Sequence, residues 1–189
     1  MKKVITKTLI FVGFFIITFF LNKAETFKLQ SAYLTTSGID LVLWLLGAVL
    51  GSHFLKIDQL IYVYFTRPEQ PLSLEVRALI SQKKIGPAWD LLDSRSIEQK
   101  QLALRSFLFQ ISWVVLVLFT LTSTASYFGK ALVMGIGLKL LLEEWDDFLH
   151  AGNISWLFWQ IKREVGIKEQ RVYLYIMTTV FIILTFFII

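Results

Sequence analysis

Hydrophobic residues along the chain gather in five long runs that are separated by shorter polar segments. The third run holds 21 residues without a charge, and a helix needs about 20 apolar residues to cross a bilayer. The runs cover Thr8–Leu21, Leu41–Leu55, Phe107–Tyr127, Ala131–Leu142 and Val172–Ile189. This pattern predicts an all-α integral membrane protein with about five transmembrane helices, forming a single polytopic domain over residues 1–189.

The segments between the runs predict where the helices begin and end. Arg67-Pro68 and Pro71 break the second helix, so residues 66–106 are predicted to form a small cytoplasmic helical insert between membrane helices two and three. Asp40 is predicted to cap the second helix, and Ser96-Ile-Glu-Gln99 resembles a capping box. Because Asn22-Lys23-Ala24 is a poor cleavage pattern, we predict that the first run is an uncleaved membrane helix rather than a signal peptide.

Composition agrees with a membrane location and excludes several classes of site. Hydrophobic residues make up 56% of the chain and charged residues 17%, against about 45–50% and about 25% in soluble domains. The sequence has no cysteine, which excludes disulfides and zinc–thiolate sites. The net charge of +5 does not indicate nucleic-acid binding, because the basic residues flank the apolar runs.

The positions of the basic residues predict an orientation in the membrane. With the N-terminus in the cytoplasm and five crossings, fourteen lysine and arginine residues fall in inner segments and three in outer loops. This positive-inside bias predicts an integral protein of a bacterial cytoplasmic membrane, with the lipid bilayer as its first partner. It also favours a full crossing by the short fourth run, because a re-entrant fourth run would place residues 162–171 outside.

The fourth run continues into an acidic segment without a turn signal. Placed on a helix, Lys139, Glu143, Asp146 and His150 share one narrow stripe, and Asp147 lies beside it. Ionisable groups are energetically costly in a membrane helix, because hydrocarbon does not solvate them. The plainest interpretation is an i, i+4 ion pair between Lys139 and Glu143, worth about 0.2–0.5 kcal/mol in exposed helices.

A second interpretation is a divalent metal site. Carboxylate and imidazole ligands suit iron, manganese or zinc, and the candidate ligands are Glu143, Asp146, Asp147 and His150 with Asp58 from the second helix. The segment resembles the Gly-rich helix, ending in His and Asp, of membrane-embedded metal-dependent hydrolases. Lys139 and Glu143, however, stand where those enzymes would need a His and an Asp. A third interpretation makes the stripe a path for protons or other cations.

Small residues predict which helices pack together. Gly47, Gly51 and Asp58 share one face of the second helix, and Gly135 lies next to the Lys139 stripe of the fourth. Small residues four apart let two helix backbones approach closely. We therefore expect these two faces to pack against each other, with Lys139 and Glu143 beside the glycine groove.

The function that these patterns favour is non-enzymatic. We expect a small scaffold or subunit of a membrane assembly, whose apolar faces meet another membrane protein or further copies of the same chain. The alternatives that use the stripe are a metal-dependent membrane enzyme of hydrolase type and a small ion or proton conduit.

Overall fold

The chain folds as a helical bundle. A computed structural model describes residues 2–23, 33–95, 99, 102–123 and 126–188, and these ranges contain helices but no strand. A π-helical turn (Tyr62–Thr66) continues the second helix, and a 3₁₀ turn (Ser155–Phe158) precedes the last. The predicted all-α fold is confirmed. The α-helices in these ranges are α1 (Lys2–Lys23), α2 (Tyr33–Ile61), α3 (Pro71–Ser81), α4 (Ile85–Ser94), α5 (Phe107–Ser123), α6 (Tyr127–Ala151) and α7 (Ile167–Ile188).

Helix α6 is the central element of the bundle. Most of its residues between Ala131 and Leu141 are buried, and α1, α2, α5 and α7 all contact it. It begins at Ser126, whose Oγ accepts a hydrogen bond from the amide of Gly129. It ends at Gly152, which adopts the left-handed conformation (φ 72°) common at helix C-termini. The helix therefore runs straight through the predicted apolar segment and the acidic segment after it.

Helices α2 and α6 pack at backbone contact distance because glycines lie between them. A Cβ atom at Gly47 or Gly51 would collide with a carbonyl oxygen of α6, and a Cβ at Gly135 would lie 2.6 Å from the carbonyl oxygen of Ala48. Glycine at these positions lets the two backbones approach more closely than side chains would allow. This contact sets the relative position of the two helices that carry most of the polar residues discussed below.

Indole side chains hold α1 and α5 onto the central pair. Trp44 of α2 donates its Nε1–H to the carbonyl oxygen of Phe15 at 3.0 Å. Trp113 of α5 donates its Nε1–H to the carbonyl oxygen of Val133 at 2.7 Å, and its ring occupies the space left by the missing side chain of Gly137. Buried indole N–H groups usually find such a partner, so each tryptophan fixes both a hydrogen bond and a packing surface.

Helix α7 closes the bundle through aromatic packing. The ring of Phe181 stacks on Trp113 with centroids 6.1 Å apart and contacts Phe14 of α1 with centroids 5.5 Å apart. Offset and tilted arrangements of this kind are the favourable ones for aromatic pairs. Helix α7 therefore spans the gap between α5 and α1 and covers α6 on that side.

The segment predicted as an insert contains α3 and α4, which form a core of their own. Val76 of α3 and Leu92 of α4 are buried together with Tyr62 and Val63 of the π-helical turn. The amide of Arg67 donates to the carbonyl oxygen of Tyr62 at 2.9 Å, which is the i to i+5 spacing of a π-helix. The small core of the insert is therefore continuous with the end of α2.

Of the two predicted helix caps, Asp40 is wrong, and most of the capping box at residues 96–99 lies outside the described residues. Helix α2 begins at Tyr33, so Asp40 lies inside the helix and is not its cap. Nothing between these two residues forbids helical backbone, since the segment has no proline. Residues 96–98 of the predicted capping box lie outside the described ranges. Gln99, the last residue of that box, donates its Nε2–H to the carbonyl oxygen of Leu92 at 2.8 Å.

By length and composition, two helices of the described chain could cross a membrane. They are Gly38–Thr66, which includes the π-helical turn, and Ile167–Phe187. Lys7–Asn22 and Phe107–Ser123 are apolar but shorter, and α6 carries charged residues in its second half. This criterion alone therefore does not confirm the predicted five crossings.

The glycine contact leads to a stability prediction. Gly51→Leu should destabilise the protein by about 3 kcal/mol, because the new side chain must displace the α6 backbone and overpacking typically costs about 1–3 kcal/mol or more. Gly13→Leu in α1 is the matched control, since a Cβ at Gly13 meets nothing within 4 Å. Thermal unfolding in detergent would compare the two variants. Equal unfolding temperatures would show that the α2–α6 contact does not limit stability.

Candidate functional site

A polar cavity lies between α1, α2 and α6. It has a volume of about 600 Å³. Side chains from within residues 7–12 of α1, 49–59 of α2 and 139–147 of α6 line it, together with Arg105 from the segment before α5. Its wall brings together basic and acidic side chains from three helices. The charged residues that line it are Lys7, Lys56, Arg105, Lys139, Glu143, Asp146 and Asp147.

Glu143 is the acceptor at the centre of this charge cluster. Its carboxylate lies 3.1 Å from the Nζ of Lys139 and 3.1 Å from a guanidinium nitrogen of Arg105. The side chains of Glu143 and Arg105 are only 14% and 13% exposed, so these charges are largely removed from water. The predicted i, i+4 pair is present, but a second cation that the sequence pattern did not indicate shares the same carboxylate.

Asp146 occupies the next turn of α6 and pairs with the first helix. Its carboxylate lies 2.9 Å from the Nζ of Lys7 and 3.2 Å from the Nδ1 of His150. His150 Nδ1 also lies 2.7 Å from the carbonyl oxygen of Asp146, so the ring folds back along its own helix. The predicted stripe of Lys139, Glu143, Asp146 and His150 therefore exists on α6, but each of the two acids is engaged by cations.

Three of the five residues proposed as metal ligands make other contacts. Asp58 is buried, and its Oδ2 accepts the amide N–H of Leu104 at 2.6 Å, which ties it to the segment before α5. Glu143 and Asp146 are held in the ion pairs above. In the part of the chain that the structure describes, no three His, Asp or Glu side chains converge to hold a metal ion. The ligand set of Glu143, Asp146, Asp147, His150 and Asp58 therefore finds no support in the geometry.

Ser52 and His53 also line the cavity, but their geometry does not make a nucleophile and its base. The Ser52 Oγ lies 3.2 Å from the Nδ1 of His53. That same Nδ1 lies 2.8 Å from the carbonyl oxygen of Val49. Because a carbonyl oxygen only accepts, this distance assigns the ring proton to Nδ1. A protonated Nδ1 cannot accept the hydroxyl proton of Ser52, so the pair lacks the hydrogen bond that activates a serine.

Glu144, next to the stripe in sequence, lies in the core instead. It is completely buried, since one residue step turns the side chain about 100° around the helix. Gln110 of α5 donates its Nε2–H to Glu144 Oε1, and Tyr173 of α7 donates its hydroxyl to Gln110 Oε1. None of the ion pairs among the described residues includes Glu144. The sequence signal for this network was Gln110, an uncharged amide side chain inside the apolar run of residues 107–127.

Gln59 is the second polar residue that the sequence pattern did not single out. It lies on α2 at the cavity wall and is completely buried. Neither its Oε1 nor its Nε2 has a hydrogen-bond partner within the described chain. A buried polar group without a partner costs about 1–3 kcal/mol, so this amide is an unsatisfied donor and acceptor beside the cavity.

The cavity is closed at one end by the apolar core. Beyond its last lining residues, the same three helices contribute Phe15 of α1, Trp44 and Ala48 of α2, and Met134 of α6, all buried. Residues 13–22 of α1, 41–48 of α2 and 131–138 of α6 include no Asp, Glu, Lys or Arg. The polar space therefore extends from one end of the bundle to about its middle and stops there.

Comparisons of this chain with protein-family models, curated proteins and solved structures find no match.

The Glu144 network leads to a prediction that separates its charge from its hydrogen bonds. Glu144→Gln should leave thermal stability unchanged or raised, because the amide oxygen still accepts from Gln110 and no carboxyl group has to be buried without a cation. Glu144→Leu should cost about 1–3 kcal/mol, because it leaves Gln110 Nε2 without an acceptor. Unfolding of the purified variants in detergent measures both. An equal loss in the two variants would contradict the assignment.

Proposed function

We propose that the chain is an integral membrane protein whose α1, α2, α5, α6 and α7 all cross the bilayer. The supporting observation is that the outward faces of the peripheral helices carry large apolar side chains in contact with solvent. Such broad exposed apolar surface is unusual for a soluble monomer and typical of a membrane-contacting one. Examples are Ile17 and Phe20 of α1, Val42 and Leu50 of α2, Val115 and Phe119 of α5, and Ile176 and Phe186 of α7, which are between 53% and 73% exposed.

The central position of α6 supports its crossing despite its charges. A charged helix facing lipid would be costly, but α6 is surrounded by the four other crossing helices. Lys139, Glu143, Asp146 and Asp147 line the cavity, and Glu144 is buried in the core. We propose that the N-terminus, the cavity and the α3–α4 insert lie on the cytoplasmic side, and the distribution of basic residues supports this orientation.

We propose further that the protein is a non-enzymatic subunit or scaffold that binds rather than conducts or catalyses. The observation that carries this proposal is the closed end of the cavity, because a conduit needs polar groups along the whole crossing. The ion pairs of Glu143 and Asp146 and the tautomer of His53 also favour binding over acid–base or nucleophilic chemistry. The apolar outer faces then provide surfaces for a membrane partner or for further copies of the chain.

Single-cysteine labelling tests the proposed topology, and the cysteine-free parent sequence supplies a chain without background. In intact cells a membrane-impermeant maleimide should label Gly38→Cys and Ser123→Cys, which lie at the proposed outer helix ends. Gln82→Cys and Asn153→Cys should be labelled only after permeabilisation. All four residues are exposed. Labelling of Asn153→Cys in intact cells would mean that α6 does not cross, and the five-helix topology would be wrong.

In-membrane photo-crosslinking tests the scaffold role. A benzophenone amino acid placed at Phe119 or Tyr175, on exposed helix faces, or at Leu74 on the insert should give a crosslinked species of higher mass. Solubilisation in strong detergent before irradiation is the control, because it separates non-covalent partners. If all three positions yield only the monomer, and the protein also runs as a monomer in mild detergent, the subunit proposal fails.

A further inference from the structure

The lining of the cavity combines charged and apolar side chains, and this indicates the kind of ligand that fits. Beside the charged residues given above, Phe11, Val12, Val49 and Leu142 line the cavity. A space lined by both kinds of side chain matches an amphiphile better than a small soluble ion. The inference rests on the proposed membrane location, which would put an amphiphile of this kind beside the protein.

The aromatic contacts that join α1 and α2 lie away from the cavity. The ring contacts between these helices involve Phe15 and Phe19 with Trp44, beyond the closed end. Toward the other end the cavity lies between the two helices, and its rim residues Val12 and Val49 are 40% and 48% exposed. These two rim residues belong to the apolar exterior of the bundle, so a chain of a membrane lipid can reach the cavity sideways.

The charged part of the lining has a small excess of positive charge. Four cations, Lys7, Lys56, Arg105 and Lys139, line the cavity with three carboxylates, Glu143, Asp146 and Asp147. Arg105 and Lys139 share the carboxylate of Glu143, and Lys56 lies over the ring of Trp89 at 5.2 Å from its centroid. Arginine and lysine are the residues that most often bind phosphate groups.

Gln59 supplies an independent observation that points to a ligand in the cavity. Its amide is completely buried, borders the cavity and has no hydrogen-bond partner within the described chain. Nearly all buried polar side chains of native proteins have partners. A phosphate oxygen could accept from Nε2, and a hydroxyl or ammonium group of the same ligand could donate to Oε1.

We propose that this cavity is a binding site for a glycerophospholipid. The phosphate of its headgroup lies against Lys56, Lys139, Arg105 and the amide of Gln59. One acyl chain follows Phe11, Val12 and Val49 out between α1 and α2. The chain would then carry a bound lipid as part of its structure in the membrane.

Native mass spectrometry of the purified protein in detergent tests the site, with phosphatidylglycerol and phosphatidylethanolamine as probes and glycerol 3-phosphate as the soluble source of the same phosphate. Gln59→Leu should lower affinity for the lipids about tenfold, since hydrogen bonds to charged groups are worth about 1.5–3 kcal/mol. The variant should unfold at the same or a higher temperature than the parent, because it removes an unsatisfied amide. Loss of lipid binding without loss of stability is a result that a merely structural role of Gln59 would not give.

Matched variants keep the result interpretable. Lys56→Gln should also weaken lipid binding, whereas Gln82→Leu and Lys84→Gln on the exposed surface of the insert should not. Equal lipid affinity in the parent, Gln59→Leu and Lys56→Gln would overturn the proposal. Equally tight binding of glycerol 3-phosphate, lost in the same variants, would overturn the lipid assignment in favour of a soluble phosphate.

The membrane proposal has its own readout. If the Gln59→Leu protein stays in the membrane fraction after alkaline carbonate washing, a failure to bind lipid at the cavity concerns the site alone. If the parent protein is released by that wash, the membrane location itself is wrong and the lipid site is wrong with it.

Discussion

The close approach of α2 and α6 is the constraint on which the rest of the structure depends. Because Gly47, Gly51 and Gly135 carry no side chains, the two backbones touch, and the polar second half of α6 is brought alongside residues 49–59 of α2. Larger residues at these positions would force the helices apart and widen the cavity. The same contact removes α6 from the exterior, which is what makes a helix with four acids compatible with an apolar environment.

Two of the four acids of α6, Glu143 and Asp146, pair with cations from elsewhere in the chain. Arg105 comes from the segment before α5 and Lys7 from α1, and they reach Glu143 and Asp146 across the bundle. Breaking a buried ion pair such as Arg105–Glu143 by removing one partner typically costs about 3–5 kcal/mol, because the other charge is left without compensation. The Lys7–Asp146 pair is about one third exposed, so it contributes less. The two pairs connect the segment before α5 and helix α1 to the central helix.

The helical class could be predicted from the apolar runs, and the faces of α2 and α6 that carry glycine could be predicted from spacing within one helix. The sequence did not predict the Arg105–Glu143 pair, the Glu144–Gln110–Tyr173 network or the buried amide of Gln59. Each of these depends on which helices become neighbours, and no local pattern encodes that. The expected metal ligands illustrate the same limit, since a shared helix face placed the acids together but could not show that basic residues of other segments would occupy them.

Lys56 belongs to two parts of the molecule at once. It lines the cavity, and its ammonium group lies over the ring of Trp89 in α4. Any group that draws this charge toward the cavity weakens its attraction to the aromatic ring, and the coupling has the same free energy in both directions. Ligand occupancy of the cavity and the packing of the α3–α4 insert against α2 are thus thermodynamically linked through the side chain of Lys56.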